Sequence, residues 1–190
     1  RVLAAVRGAL PSSVRLHLLG FGKIEELRSL EEFGVTSFDT TSPLLRAFKD
    51  ARKNYWARTP SGDLSYYTAM RIPQATENNK LKQKALEGSL NQEAVTILER
   101  AALDGVRDFA RGQATLDQGL DAVMDYWTAL NWDEDTSPSR RAEAATKQRK
   151  VYASTLNDRP WEQCGCRVCR EAGVEALIFR NSNRNKRRGI

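Results

Sequence analysis

Three cysteines stand close together near the end of the sequence, at Cys164, Cys166 and Cys169, and the sequence contains no other cysteine. Disulfides between such near neighbours are disfavoured by the geometry of the bond and by the reducing cytoplasm. Three thiolates at this spacing suit a metal that binds tetrahedrally, and zinc is the usual occupant of a closed site with three cysteines and one histidine. The spacing therefore predicts a structural Zn²⁺ site with these cysteines as ligands.

A fourth ligand is not evident beside the cysteines. The single histidine, His17, lies in a predicted strand among apolar neighbours, where a histidine with a satisfied hydrogen bond is the better interpretation. The chain starts with Arg1, not Met, and stops at Ile190 directly after a basic run. We interpret it as a piece of a longer polypeptide and expect the fourth ligand just after Ile190.

The densest cluster of positive charge follows the cysteines. Five cations and no acidic residue occur from residue 180 onward: Arg180, Arg184, Lys186, Arg187 and Arg188. Lys and Arg contacts to phosphate supply most of the non-specific affinity for nucleic acid, and the interleaved asparagines could donate to phosphate or sugar oxygens. A solvated tail is the alternative, and we favour nucleic-acid contact.

A candidate nucleophile is Asp39, the last residue of the short predicted strand Val35–Asp39. An ionised carboxylate at the end of a strand can attack an electrophilic carbon and form a covalent intermediate. The following Thr40-Thr41-Ser42 makes a helix-capping or loop aspartate an equally good interpretation. The residues alone leave these two alternatives open.

A glycine-punctuated turn, Gly20-Phe21-Gly22, lies at the end of the strand that precedes Asp39. Glycines at such a turn let the backbone approach a bound ligand closely. The geometry of a tight turn explains the same glycines without any ligand.

The elements that must position these residues alternate at the start of the chain. Period-2 patterning predicts strands at Val14–Leu19 and Val35–Asp39, and apolar stripes predict helices at Lys23–Phe33 and Leu44–Trp56. Strand, helix, strand, helix with short links indicates parallel strands in an α/β sheet or barrel. We therefore assign residues 1–60 to α/β units.

The rest of the chain has a different pattern. Residues 61–158 read as a mostly helical insertion, and residues 159–190 as a zinc-binding segment with a strand at Val174–Phe179 and a basic tail. Helical periodicity and capping residues predict four helices in the insertion: Glu77–Glu87, Glu93–Arg111, a helix capped by Thr115 and ending at Leu130, and Arg140–Leu156.

The composition is that of an ordinary folded protein. Of 190 residues, 41% are hydrophobic and 28% are charged, which excludes a disordered chain. No apolar run approaches the ~20 residues needed to cross a bilayer, so we expect a cytoplasmic protein with no membrane partner. The net charge of +6 and pI near 9.4 suit a polyanion partner or a generic basic protein equally.

The sequence resembles the tRNA-guanine transglycosylase family in three stretches and, in a fourth, the DNA-modifying branch to which the match is closest. Leu18-Leu-Gly-Phe-Gly22 is similar to a late barrel strand ending in Gly-x-Gly, and Gly34-Val-Thr-Ser-Phe-Asp39 is similar to the family's Gly-Val-Asp-x-Phe-Asp. The three cysteines match three of the four zinc ligands of the family, in which a downstream histidine is the fourth. The ending Ile178–Gly189 resembles the DNA branch.

Two departures separate the sequence from the tRNA enzymes. Those enzymes follow their aspartate with Pro-Thr-Arg and further arginines, whereas Ser42-Pro-Leu-Leu-Arg-Ala-Phe48 keeps only the proline. Their connection from the aspartate to the cysteines is also much shorter. Both departures favour the DNA branch.

The resemblance implies the C-terminal part of a (β/α)8 TIM barrel with a helical insertion and a zinc-binding subdomain. It makes Asp39 the nucleophile, Leu19 a side chain that stacks on the base, and Gly20 and Gly22 parts of the substrate-binding turn. A second catalytic acid, an aspartate on an early strand, is expected before Arg1. A bound zinc ion would have a structural role and would hold the basic end of the chain, from Arg180 onward, near the open end of the barrel.

The implied function is exchange of guanine in DNA for a 7-deazaguanine base, which we expect to be 7-cyano-7-deazaguanine. Its partners would be DNA in preference to tRNA, the base, and accessory modification proteins. One alternative is the same exchange in tRNA. Another is a zinc-stabilised nucleic-acid-binding module without catalytic activity.

Overall fold

The computed structural model describes residues 1–21, 26–50, 52–58, 61–131 and 135–180. The chain divides into two compact units, Arg1–Asp50 and Ala51–Ile190. This division falls earlier than the predicted boundary after residue 60. The predicted helical insertion and zinc-binding segment belong to one unit.

The unit Arg1–Asp50 alternates helices and strands. It contains α1 (Val2–Ala9), β1 (Leu16–Leu18), α2 (Leu27–Glu31), β2 (Val35–Phe38) and α3 (Ser42–Lys49). The two strands pair in parallel, with His17 opposite Ser37 and Leu18 opposite Phe38. The predicted α/β alternation is confirmed. The described residues contain no closed barrel, so the TIM barrel stays a prediction.

Local contacts set the links between these elements. Gly34, with a φ of 68°, turns the chain from α2 into β2, and its N–H donates to the Glu31 carbonyl at 2.9 Å. The Arg7 guanidinium donates to the carbonyls of Val14 and Leu10 at 2.8 and 3.1 Å, which ties α1 to the segment before β1. The unit has little core of its own, because Leu30 is the one buried residue among those described here.

One predicted helix is too long. The segment predicted as a helix to Trp56 leaves the helical conformation at Asp50, where ψ is 129°. Residues from Tyr55 onward form β3 (Tyr55–Arg58), which pairs antiparallel with β4 (Leu64–Tyr67) in the second unit. The pairing partner decides this conformation, since a strand hairpin buries one face of the Tyr-rich segment.

The unit Ala51–Ile190 is mainly helical after the hairpin. Its further elements are β5 (Met70–Arg71), α4 (Asn79–Leu86), α5 (Gln92–Ala110), α6 (Leu116–Leu130), α7 (Pro138–Asp158), α8 (Pro160–Gln163), α9 (Arg167–Ala172), a 3₁₀ helix (Gly173–Leu177) and β6 (Ile178–Phe179). The four predicted helices are confirmed, including the Thr115 cap, whose hydroxyl accepts from the Gln118 N–H at 3.2 Å. The predicted strand Val174–Phe179 is wrong over most of its length, because only Ile178 and Phe179 pair, with β5.

The core of this unit lies between its long helices and the short strands. Its most buried large side chains come from elements far apart in sequence, and they include Met70, Ile72, Val106, Tyr126, Tyr152, Leu156 and Leu177. Helices α5 and α6 approach closely at two glycines: a Cβ added to Gly119 would lie 2.9 Å from the Gly105 carbonyl oxygen. Close packing of this kind makes the unit sensitive to small volume changes.

Candidate active site and metal centre

Asp39 lies at the carboxyl end of the parallel strand pair. It directly follows β2, and its N–H donates to the Leu18 carbonyl at 3.1 Å, which continues the pairing with β1 by one residue. Parallel strands bring their carboxyl ends to the same edge, where binding sites of α/β proteins are built. The side chain of Asp39 is 64% exposed, so a ligand could reach it.

One oxygen of the Asp39 carboxylate is held in place. Oδ1 accepts a hydrogen bond of 2.8 Å from the Gly20 N–H, and the positive φ of Gly20 (66°) turns the chain at the end of β1. Within the part of the chain that the structure describes, Oδ2 has no hydrogen-bond partner. An exposed carboxylate with one oxygen fixed and the other open is suited to nucleophilic attack.

The helix-capping alternative for Asp39 is not what the contacts show. Helix α3 has Thr41 at its N-cap position with no side-chain cap bond, and the Ser42 N–H donates to the Thr40 hydroxyl at 3.1 Å. The Asp39 carboxylate instead bonds to the turn after β1.

Two further side chains meet Asp39 on the same side of the strand pair. His17 Nδ1 and Ser37 Oγ share a hydrogen bond of 2.8 Å, and His17 Nε2 lies 3.8 Å from Asp39 Oδ1. The satisfied strand histidine that the sequence predicted is therefore confirmed. The sequence did not predict that His17 lies beside Asp39. One signal was available, because strand alternation puts Ser37 and Asp39 on the same side. The pairing register of His17 with Ser37 was not readable from the sequence.

The predicted substrate-binding residues are described in part. Leu19 exposes 82% of its surface at the end of β1, next to the Gly20 amide that holds Asp39. Gly22 lies outside the described residues. Roles of Leu19, Gly20 and Gly22 in base binding stay predictions.

The three cysteines converge as predicted. Their sulfur atoms all lie within 4.8 Å of one another, and none is in a disulfide. The segment folds locally: Cys164 follows α8 in an extended conformation, and Cys166 caps α9 by accepting from the Cys169 N–H at 3.4 Å. Two thiolates on one tetrahedral zinc lie about 3.8 Å apart, because each Zn–S bond is about 2.3 Å long. The cluster therefore fits a metal of this kind.

The environments of Cys166 and Cys169 shift the pKa values of their thiols in opposite directions. The hydrogen bond from the Cys169 backbone N–H lowers the pKa of the exposed Cys166 thiol. Burial raises the pKa of Cys169, which is 5% exposed, to about 12. A thiol of this kind holds its proton unless a cation replaces it, since metal ligation requires the thiolate.

Among the described residues, no histidine or carboxylate joins the three sulfurs as a fourth ligand. A phenol does lie beside them. Tyr55 Oη is 2.9 Å from Cys169 Sγ, although the two residues are 114 positions apart. This contact joins β3 to the cysteine segment, and nothing in the local sequence of either residue pointed to it.

Arg180, predicted to contact nucleic acid, is engaged within its own unit. Its guanidinium forms an ion pair with Glu99 of α5, and only 24% of the Arg180 side chain is exposed. Glu99 also accepts from the Ala75 N–H at 2.8 Å, so the pair ties the end of β6 to α5. Arg184, Lys186, Arg187 and Arg188 lie outside the described residues. The nucleic-acid contact of all five cations stays a prediction.

In the described part of the chain, none of the helices is both long and apolar enough to pass through a membrane. No protein-family model matches the sequence. A DNA-guanine transglycosylase from Salmonella montevideo is 36% identical to this chain over 188 residues. The alignment covers 99% of the chain and 42% of the relative, so the chain spans less than half the length of that protein.

Proposed function

Because this chain belongs to the tRNA-guanine transglycosylase family, in its DNA-modifying branch, we propose that the protein containing it exchanges guanine in DNA for a 7-deazaguanine base. The observation that carries this proposal is the Asp39 carboxylate at the carboxyl end of β2. Gly20 holds Oδ1, and within the described residues Oδ2 has no partner. A relative named for guanine transglycosylation in DNA supports DNA over tRNA as the substrate.

The proposed reaction uses Asp39 twice. Oδ2 attacks C1′ of a guanine nucleotide, the bond from C1′ to guanine breaks, and an ester links the sugar to the enzyme. The 7-deazaguanine then attacks C1′ and expels the carboxylate. Two displacements leave the sugar configuration unchanged, as in retaining glycosidases. The Gly20 N–H stabilises the carboxylate when it leaves in the second step, because it donates to Oδ1.

Protons must move in both steps. The departing guanine takes up one proton, and the incoming base gives one up, so a single acid can serve both steps in turn. We propose that this acid is the aspartate expected outside the chain. With β1 and β2 as the last two strands of a TIM barrel, the two carboxylates would share the carboxyl-terminal face.

The base would lie against the turn after β1. Leu19 exposes an apolar side chain there, and Gly20 has no side chain to keep a planar ring from the backbone. We expect 7-cyano-7-deazaguanine to be the incoming base.

Cys164, Cys166 and Cys169 would hold a structural zinc ion. When bound, zinc cross-links the α8–α9 segment through these thiolates and stabilises its fold. The protein itself supplies the short helix α9, which directs Cys166 and Cys169 toward one point.

The test supplies the protein containing this chain with labelled 7-cyano-7-deazaguanine and either duplex DNA or tRNA. Label should enter DNA, and Asp39→Asn should abolish incorporation and the covalent protein–DNA adduct. Asp125→Asn, a change at an exposed residue of α6, serves as the matched control and should keep full activity.

Other outcomes would overturn parts of the proposal. Label that enters tRNA alone supports the tRNA alternative. Undiminished exchange by Asp39→Asn removes this residue as the nucleophile. Nucleic-acid binding without any exchange supports the non-catalytic module.

A further inference from the structure

A tyrosine from a distant strand is hydrogen bonded to the most buried cysteine of the cluster. Tyr55 lies on β3, where pairing with Tyr67 of β4 fixes its backbone, and its half-buried ring packs against the core of the unit. Its hydroxyl oxygen lies 2.9 Å from Cys169 Sγ. The contact is therefore made by a side chain anchored at both its backbone and its ring.

The phenol is the donor in this contact whenever Cys169 is a thiolate. A tyrosine phenol carries its proton at neutral pH, because its usual pKa is about 10. A phenol that keeps its proton can only donate to a thiolate, which has no proton to give.

The distance between the Tyr55 oxygen and the Cys169 sulfur also shows whether Tyr55 is a hydrogen-bond donor or a metal ligand. An oxygen and a sulfur bound to the same tetrahedral zinc lie roughly 3.5 Å apart, given bonds of about 2.0 and 2.3 Å. At 2.9 Å from Cys169 Sγ, the Tyr55 oxygen is at hydrogen-bond distance and closer than two ligands would be. The Tyr55 oxygen is therefore a hydrogen-bond partner of the sulfur and lies outside the ligand set.

We propose that Tyr55 is a positioning residue of the metal site, which orients Cys169 and withdraws charge from its sulfur by an O–H···S hydrogen bond. The proposal rests on the metal-binding part of the function proposed above. Three thiolates carry more negative charge than one divalent cation neutralises, and Cys169 is buried. A donor aimed at that sulfur offsets the cost of keeping the excess charge away from water.

The experiment measures metal binding, not exchange. The protein containing this chain, with Tyr55→Phe, is titrated with Co²⁺ and, in competition with a chromophoric chelator, with Zn²⁺. Loss of the hydroxyl should weaken Zn²⁺ binding by about 10-fold to 100-fold. The sulfur-to-cobalt charge-transfer band should shift to lower energy, because the Cys169 sulfur becomes more electron-rich.

Tyr67→Phe is the matched control. It removes a hydroxyl from the same hairpin, opposite Tyr55, and keeps the ring that lies 6.5 Å from the Tyr55 ring. It should leave both the affinity and the cobalt spectrum unchanged. The unfolding temperature of each metal-free variant reports any loss of folding, and the cobalt spectrum reads only the folded, metal-bound fraction.

Unchanged affinity and an unchanged cobalt band in Tyr55→Phe would overturn the proposal while leaving the metal site intact. Failure of the unsubstituted protein to bind Co²⁺ or Zn²⁺ would overturn the metal site itself, and the role of Tyr55 with it. If the unsubstituted protein binds metal normally but has no exchange activity, only the proposed reaction is contradicted.

Discussion

The Asp39 site and the cysteine site are built in opposite ways. Asp39 stands on a two-stranded parallel pair whose unit buries only Leu30 among its described residues. Its carboxylate accepts an exposed hydrogen bond from the Gly20 N–H, and His17 Nε2 lies 3.8 Å from the same oxygen. Cys169 is buried, and it lies against Tyr55, which packs on a core drawn from most of its unit.

Because of this difference, we expect the Asp39 site to affect mainly the reactivity of the protein and the cysteine site to affect mainly its stability. A carboxylate fixed by a backbone amide at an exposed edge can change without disturbing any packed core. A buried cysteine that is hydrogen bonded to a side chain of the core cannot be replaced so easily. Its replacement disturbs both the packing and the hydrogen bonding of its neighbours. We therefore expect substitutions in the first unit to act mainly on chemistry, and those in the second to act mainly on folding and metal binding.

The largest effect is expected from Asp39→Asn. An amide cannot form the sugar ester, so exchange should fall by roughly 10³-fold or more. The unfolding temperature and the bound zinc should stay unchanged, because the Asn oxygen can still accept from the Gly20 N–H. Exchange assays together with calorimetry and metal analysis check this. A large fall in unfolding temperature would break the contrast between the two regions.

The next effect is expected from Cys169→Ser. Replacing the buried thiolate ligand should reduce zinc binding by more than about 100-fold, and unfolding should occur at lower temperature, because structural zinc contributes directly to folding. Chelator treatment of the unsubstituted protein should lower its unfolding temperature in the same way. Metal content by mass spectrometry and thermal unfolding provide the measurement. Equal zinc content in the variant and the parent would contradict the predicted site.

A pair of glycine substitutions tests the packing side of the comparison. Gly119→Val should destabilise the protein by about 1–3 kcal/mol, because its Cβ would meet the Gly105 carbonyl oxygen at 2.9 Å. Gly8→Ala in α1 has no atom within 4 Å of the added Cβ and should be neutral or stabilise by about 0.4–1 kcal/mol. Urea unfolding of both variants gives the comparison. Equal effects would mean that the two units are packed alike.

A smaller effect is expected at His17. His17→Phe removes the hydrogen bond to Ser37 and the imidazole beside Asp39 Oδ1, so kcat should fall about tenfold through loss of orientation. His17→Asn, which restores a donor toward Ser37, should recover part of the loss. KM and the unfolding temperature should change little because the His17 side chain is 46% exposed. A change confined to KM would argue for a role in substrate binding instead.

The smallest effect concerns the basic end. Replacing Arg187 and Arg188 with Gln should leave exchange at low salt nearly intact. The salt dependence of DNA binding should become weaker, by about one unit of log–log slope for each phosphate that is no longer neutralised. Fluorescence anisotropy over a range of salt concentrations measures the slope. An unchanged slope would identify this stretch as a solvated tail.

Much of the local structure could be predicted because its causes lie within a few residues. The Thr115 cap, the apolar face of α5 and the reversal at Gly34 each depend on neighbours one to four positions away. The same range covers Cys164, Cys166 and Cys169, whose spacing already brings three sulfurs to one point. These features follow from chain stereochemistry and local hydrogen bonding.

The two wrong predictions of secondary structure concern short segments that contact residues far away in the chain. The helix predicted to Trp56 gives way to β3 because β4 pairs with it. Most of the predicted strand Val174–Phe179 is a 3₁₀ helix, in which Val174 and Leu177 are buried and Glu175 forms an ion pair with Arg107 of α5. Helix or strand propensity over such short segments is worth too little to resist tertiary pairing.

The sequence by itself determined which groups could react: a carboxylate at a strand end, three thiols at metal spacing, and a glycine turn between strand and helix. Only the tertiary structure decided their neighbours. The parallel register brings His17 to Ser37 and Asp39, β3 brings Tyr55 to Cys169, and α5 holds Arg180 through Glu99. These contacts join residues far apart in the chain, and they form only when packing places whole elements together, which no local pattern encodes.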